Sequence, residues 1–118
     1  MSDPWPEELK LREQGAVLDI KFDTGAVVSL AAELLRVESP SAEVKGHGPG
    51  QEVTVAGKKH VRIIKLDPVG NYAVRIGFDD GHNSGLYTWS YLLKLGADKD
   101  ALWTRYLAAL AAKNLSRG

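Results

Sequence analysis

The 118-residue sequence predicts an α+β fold of antiparallel β-hairpins and short helices, closed by a C-terminal helix. Three observations carry that prediction. Apolar and polar residues alternate on either side of turns built from Asp and Gly. They switch to helical spacing after each hairpin. The whole pattern of strand, turn, strand and short helix occurs twice. With 44% hydrophobic and 25% charged residues, a chain of this length makes one globular domain around a single core.

Each element follows from its local pattern. Val17–Phe22 reads as a strand whose Leu18, Ile20 and Phe22 share one face. Asp23-Thr24-Gly25 is a turn signal, and Val27-Val28-Ser29-Leu30 forms the returning strand. Residues 31–37 make a short helix, halted at Ser39-Pro40 because the residue before proline is driven out of helical geometry. Gly46-His47-Gly48-Pro49-Gly50 holds too much glycine and proline for regular structure and is loop. Val53 and Val55 are expected in a brief strand. The β-branched run at 61–66 forms another, turned by Asp67-Pro68-Val69-Gly70-Asn71 into a strand at 72–78. Residues 89–95 read as a second short helix. Asp98 then caps a final helix with an apolar stripe of Leu102, Trp103, Tyr106, Leu107 and Leu110.

The repeat is written in particular residues. Ile20, Phe22, Asp23 and Gly25 recur 56 residues later as Ile76, Phe78, Asp79 and Gly81. Leu34-Leu35-Arg36 recurs 58 residues on as Leu92-Leu93-Lys94. Asp and Gly are what tight turns demand, so the turn match alone would prove little. The helical match that trails it points to internal pseudo-symmetry.

Composition excludes several classes of function. With no cysteine there is no disulfide, thiol nucleophile, iron–sulfur ligand or cysteine-held zinc. Fifteen basic residues balance fifteen acidic ones, which is not the surface of a protein built throughout for nucleic acid. The balance hides unequal parts: residues 1–44 carry net −5, 45–75 net +4, 76–96 net −1 and 97–118 net +2. Such asymmetry suits a partner-facing or self-complementary surface as well as ordinary solvated variation. The first ten residues hold Asp3, Glu7 and Glu8 and no apolar run, so no secretory signal is expected. No stretch reaches the ~18 consecutive apolar residues of a membrane span. A cytoplasmic protein is the expectation.

Several constellations invite chemistry and are better explained without it. Phe22-Asp23-Thr24-Gly25-Ala26 resembles the active loop of an aspartic protease, which needs two carboxylates sharing a proton. The second copy reads Asp79-Asp80-Gly81, without the hydroxyl, and turn chemistry accounts for both. The glycines at 46, 48 and 50 invite a phosphate loop, but Pro49 removes a donor and no Lys-Ser or Lys-Thr follows. Lys58, Lys59, His60, Arg62 and Lys65 form a basic run with alternate residues on one face of a strand. Tyr72 is the only aromatic near it, so edge-strand protection explains it better than stacking on nucleic acid. His47, His60 and His82 lack metal-ligand spacing. Beside Asp79 and Asp80, His82 offers at most a weak nitrogen–oxygen site. No serine has a convincing histidine partner, so no nucleophile–base pair assembles. Trp5, Trp89 and Trp103 read as core anchors.

Longer motifs carry a resemblance. They are Trp5-Pro6-x-x-Leu9, Leu35-Arg36-Val37 with Ser39-Pro40-Ser41-Ala42-Glu43-Val44, and Gly46-His47-Gly48-Pro49-Gly50-Gln51. Val69-Gly70-Asn71-Tyr72-Ala73 follows, then Phe78-Asp79-Asp80-Gly81-His82 and Tyr87-x-Trp89-x-Tyr91-Leu92. In this order they resemble the gamma-butyrobetaine hydroxylase-like N-terminal domain family, in its small stand-alone bacterial form. The resemblance spans residues 5–96 of a single domain, 1–118, and leaves 97–118 as a C-terminal helical extension.

The resemblance implies a small α+β domain that, in the hydroxylases, precedes an iron- and 2-oxoglutarate-dependent catalytic domain and helps the enzyme assemble. That catalytic domain has no room in this chain. The family's zinc is held by a Cys-Pro-Cys-x-x-Cys segment and a later histidine. Carried over, the cysteine positions fall on Ser39, Ser41 and Val44, and the histidine on His82. A serine hydroxyl is a poor zinc ligand at neutral pH and valine is none, so the resemblance implies a lost metal site. Ser39 and Ser41 instead suit the capping of a short turn. Similar domains are appended to iron–sulfur carrier ATPases, which implies a partner role and not a chemistry.

The expected function is that of a non-enzymatic, cofactor-free accessory domain whose partner is another protein or a second copy of itself. Nucleic acid is not expected as a partner. The candidate surface takes in His47, Asp79, Asp80, Tyr87 and Trp89, with the 46–51 loop and the 79–84 turn brought together by the repeat. The alternative is a small zinc- or iron-binding module, linked to iron–sulfur or oxygenase systems, with His82, Asp79, Asp80 and His47 as ligands.

Overall fold

In the computed structural model, residues 5–40 and 54–118 are described. β1 (Pro6–Arg12), β2 (Val17–Phe22) and β3 (Val27–Ala31) form an antiparallel sheet in that order, followed by helix α1 (Ala32–Val37). β4 (Ile63–Val69), β5 (Ala73–Phe78) and β6 (Leu86–Thr88) form a second antiparallel sheet, followed by helix α2 (Trp89–Ala112). The fold is α+β, built from one unit used twice.

The pseudo-symmetry extends to individual bonds. β1 meets β2 at Pro6 opposite Phe22, passes a bulge, and resumes with Glu8 opposite Lys21. β4 meets β5 at Ile63 opposite Phe78, passes a bulge, and resumes with Lys65 opposite Gly77. A bulge bends and twists its strand, and here the same irregularity falls at the same place in both sheets. In the first turn Phe22 N–H donates to Ala26 O at 2.9 Å and Gly25 N–H to Phe22 O at 3.0 Å. In the second, Phe78 N–H donates to His82 O at 2.9 Å and Gly81 N–H to Phe78 O at 3.1 Å. Gly25 and Gly81 sit at φ 90° and 92°, a region glycine enters at little cost. The repeated Phe-Asp-x-Gly is thus a local code for this turn.

Leu18, Ile20 and Phe22 of β2 and Val74, Ile76 and Phe78 of β5 are buried in one core cluster, joined by Leu35, Tyr87, Leu92 and Leu95. Burying a side chain of this size contributes roughly 1.5–3 kcal/mol. Helix α1, at six residues, is far below the ~12–15 that an isolated helix needs, so packing holds it. Carbonyls at its C-terminal end, left over by helix geometry, accept hydroxyl bonds from the second half of the chain. Tyr87 donates to Leu35 O, and Tyr91 to Glu38 O at 2.5 Å.

Several details differ from expectation. Pro6–Arg12 is a strand unmarked in the sequence, because Glu7, Glu8, Lys10 and Arg12 leave it mostly polar on an edge open to water. Residues 58–62 lie outside any strand, so the basic run has no alternating face there. Val55 is also outside any strand; its carbonyl accepts the Tyr106 hydroxyl at 2.6 Å. Val53 and the 46–51 loop lie outside the described residues.

The two expected C-terminal helices are one. α2 runs unbroken through Gly96 and Asp98, and its cap is Thr88, whose Oγ1 accepts the Tyr91 N–H at 3.1 Å. Gly96 is a contact and not a stop: a Cβ there would lie 2.5 Å from Val28 Cγ1, so its absence lets α2 settle on β3. Among the described residues no helix is long and apolar enough to cross a membrane.

Candidate functional site

The residues around His82 converge where the second turn meets the end of α1. Asp79 holds the chain as it enters β4. Its N–H donates to Arg62 O at 2.9 Å, and its Oδ1 accepts the Arg62 N–H at 3.1 Å. Asp23 does the same for Trp5 ahead of β1, at 2.8 and 3.2 Å. Thr24 Oγ1 accepts the Ala26 N–H at 3.4 Å. The protease-like loop is therefore a turn whose polar side chains bond to its own surroundings.

Asp80 ties three segments together. Its Oδ1 accepts the His82 N–H at 3.1 Å, while Oδ2 takes Arg36 Nε at 2.8 Å and Lys58 Nζ at 2.6 Å. Partial burial raises the carboxyl pKa, but the bonds from Lys58, the His82 N–H and Arg36 outweigh it and hold the group down at about 2. Lys58 and Arg62, read from sequence as edge protection, are committed to such ties: Arg62 Nη1 also donates to Gln14 Oε1 at 2.6 Å.

His82 is 6% exposed, with its ring tilted against Phe78 at 6.1 Å between centroids. Its Nε2 lies 3.0 Å from Ser39 Oγ, and Ser39 is fully buried. This corrects the expectation that no serine meets a histidine. The two residues are 43 positions apart, so no local pattern signals the contact. Only the resemblance had put positions 39 and 82 at one site. Ser41, Val44 and His47 lie outside the described residues.

The other two surface candidates are corrected as well. Tyr87 is completely buried, its phenol pushed above the ordinary value by burial, and Trp89 is 5% exposed with its indole N–H donating to Asn71 O at 3.2 Å. Neither offers area to a partner. The exposed aromatics are their neighbours. Trp5, expected as a core anchor, is 47% exposed and meets Trp89 edge-on at 6.5 Å, and Tyr72, 56% exposed, accepts the Trp89 backbone N–H at its carbonyl at 3.3 Å.

Among the described residues this arrangement offers a poor donor set for a zinc ion. Its donors are a neutral hydroxyl and an imidazole, and Asp80, whose Oδ1 accepts the His82 N–H, is already bound by two cations that would repel a metal. Among the described residues no three or more His, Asp or Glu side chains are grouped to hold an ion.

Comparison with known proteins extends this geometry. Residues 9–93 match the family model described as gamma-butyrobetaine hydroxylase-like, N-terminal. One NMR solution structure is similar at 43% identity and TM-score 0.83, covering 98% of this chain and 91% of the other. A second is similar at 49% identity and TM-score 0.84, covering 98% and 86%. A crystal structure from Acidithiobacillus ferrooxidans, of a protein with unknown function in the DUF971 family, is 39% identical with TM-score 0.67 over 81% of this chain and 99% of that one. No curated protein matches.

Proposed function

Because the chain belongs to the gamma-butyrobetaine hydroxylase-like N-terminal domain family, we propose that it is a non-catalytic, cofactor-free accessory domain of the cytoplasm that docks to a protein or to its own copy. The observation that supports this reading is the use made of the polar side chains at the candidate site. Asp79 holds a strand, Asp80 holds Arg36 and Lys58, and His82 is buried against Ser39. These are the bonds of a scaffold. The docking surface in this reading is the exposed pair Trp5 and Tyr72, which flanks buried Trp89; aromatic residues are enriched in the cores of protein interfaces.

The experiment is sedimentation across a concentration series, joined to affinity capture from the source cell with wild type and a Trp5→Ala/Tyr72→Ala variant as baits. A dimer or a captured protein is expected, and either should be lost in the variant. Finding neither, or finding both unchanged in the variant, overturns the reading.

A second reading, a zinc or iron module linked to iron–sulfur or oxygenase systems, is favoured by one observation: Ser39 and His82 occupy ligand positions of the family and stand 3.0 Å apart. In this reading His47, Asp79 and Asp80 are the further donors, and Asp80 must first release Arg36 and Lys58. Metal analysis of protein purified without a histidine tag tests it. Stoichiometric zinc or iron that disappears in His82→Ala would put this reading in place of the first.

A further inference from the structure

Helix α2 runs 24 residues where its counterpart α1 has six, and the surplus lies along the first sheet. Beyond the Gly96–Val28 contact, a cleft of about 520 Å³ lies between helix and sheet. That volume falls in the range of roughly 300–1,000 Å³ typical of small-molecule sites. Its helix and tail lining, Lys99, Asp100, Trp103, Thr104 and Arg117, falls outside the family match, which ends at residue 93.

We propose that this cleft binds a small aromatic monocarboxylate. Trp103 is the aromatic wall, a half-buried indole held by the Arg117 guanidinium 5.0 Å from its ring centroid and by Tyr106 at 5.4 Å between centroids. Arg117 is fixed in turn by bonds of 2.9 and 2.8 Å to the two oxygens of Glu33, which is buried. That pair cancels its own charge, so it neither attracts nor repels an anion. Val17, Ala31 and Leu34 give the cleft an apolar lining.

The other lining cation is Lys99. Its ammonium crosses from helix to sheet and donates to Ser29 O at 3.4 Å, a long bond to a neutral acceptor. A carboxylate in the cleft accepts a shorter, charge-assisted bond from the same group. Asp100, the next residue, also lines the cleft and opposes any anion. It limits the ligand to a single negative charge and selects against a dianion such as phosphate.

The test is an amide NMR titration of the full chain with phenylacetate and with its neutral isostere phenylacetamide. Saturable shifts are expected at the Ser29, Ala31 and Lys99 amides and at the Trp103 indole N–H. The isostere should bind about tenfold more weakly. Lys99 is exposed, so Lys99→Met should keep the fold; it should weaken phenylacetate by about the same factor and erase the preference for the acid. Trp103→Leu should abolish the shifts. Equal binding of acid and amide, unchanged affinity in Lys99→Met, or no saturation at about 10 mM overturns the proposal. Trp5 and Tyr72 take no part in it, so the docking reading stands or falls separately.

Discussion

Asp80 sits between Arg36, Lys58 and the His82 N–H, and its folded pKa of about 2 lies below the ordinary 3.8. A carboxylate depressed on folding stabilises the protein above its unfolded pKa, and that contribution is lost as pH falls through the folded value. Asp80→Asn should therefore be less stable than wild type at neutral pH, and the gap should close between pH 3.8 and about 2. Urea denaturation at stepped pH measures it; a gap constant through that window would show that the charge plays no part. At this scale the sequence was readable only where the partner is local. Asp79 and Asp80 announce a turn. That Asp80 also binds Arg36, 44 residues away, or that His82 meets Ser39, is set by tertiary packing. Tyr87 counts toward a candidate surface, and Trp89 toward both a surface and a core anchor, because an aromatic residue near a turn looks the same in sequence whether its polar atom meets water or a carbonyl.

Among the elements, β2, β3, α1 and β5 were legible because apolar residues alternate or recur at helical spacing on a buried face. β1 was not, since an edge strand open to water needs no such alternation. The break expected within α2 came from Gly96-Ala97-Asp98, which mimics a helix end followed by a new cap. The glycine is there for its missing Cβ. Gly96→Ala would gain about 1 kcal/mol of helix propensity but push against Val28, a strain of about 1–3 kcal/mol, so net destabilisation is expected. Combining it with Val28→Ala should cost less than the sum of the two single changes. A double-mutant cycle by chemical denaturation reads this directly; strict additivity would mean that the helix and strand do not press on each other there.

Over the whole molecule the duplication governs energetics as well as shape. Asp23 and Asp79 make the same pair of bonds to the residue ahead of the first strand of each sheet. Asp23→Ala and Asp79→Ala should each cost about 1 kcal/mol, and the double variant about their sum. Thermal or urea melts compare them, and a clearly unequal pair would show that one turn carries load the other does not. The repeat was visible in the sequence through Phe-Asp-x-Gly. The laying of the long helix over the first sheet was not, because it joins residues far apart in the chain.

That difference in separation shapes how the chain reaches its fold. In both sheets each strand pairs with its neighbour in sequence, so the sheets close through short loops, with hairpins forming in roughly 1–10 μs. The approach of α2 to β3 spans far more chain: Lys99 and Ser29 are 70 residues apart. Loop-closure entropy therefore predicts that the slow search is the docking of the two meanders onto each other. Stopped-flow measurements on Gly96→Ala should show slower refolding with little change in unfolding, and the reverse partition would put the docking after the barrier.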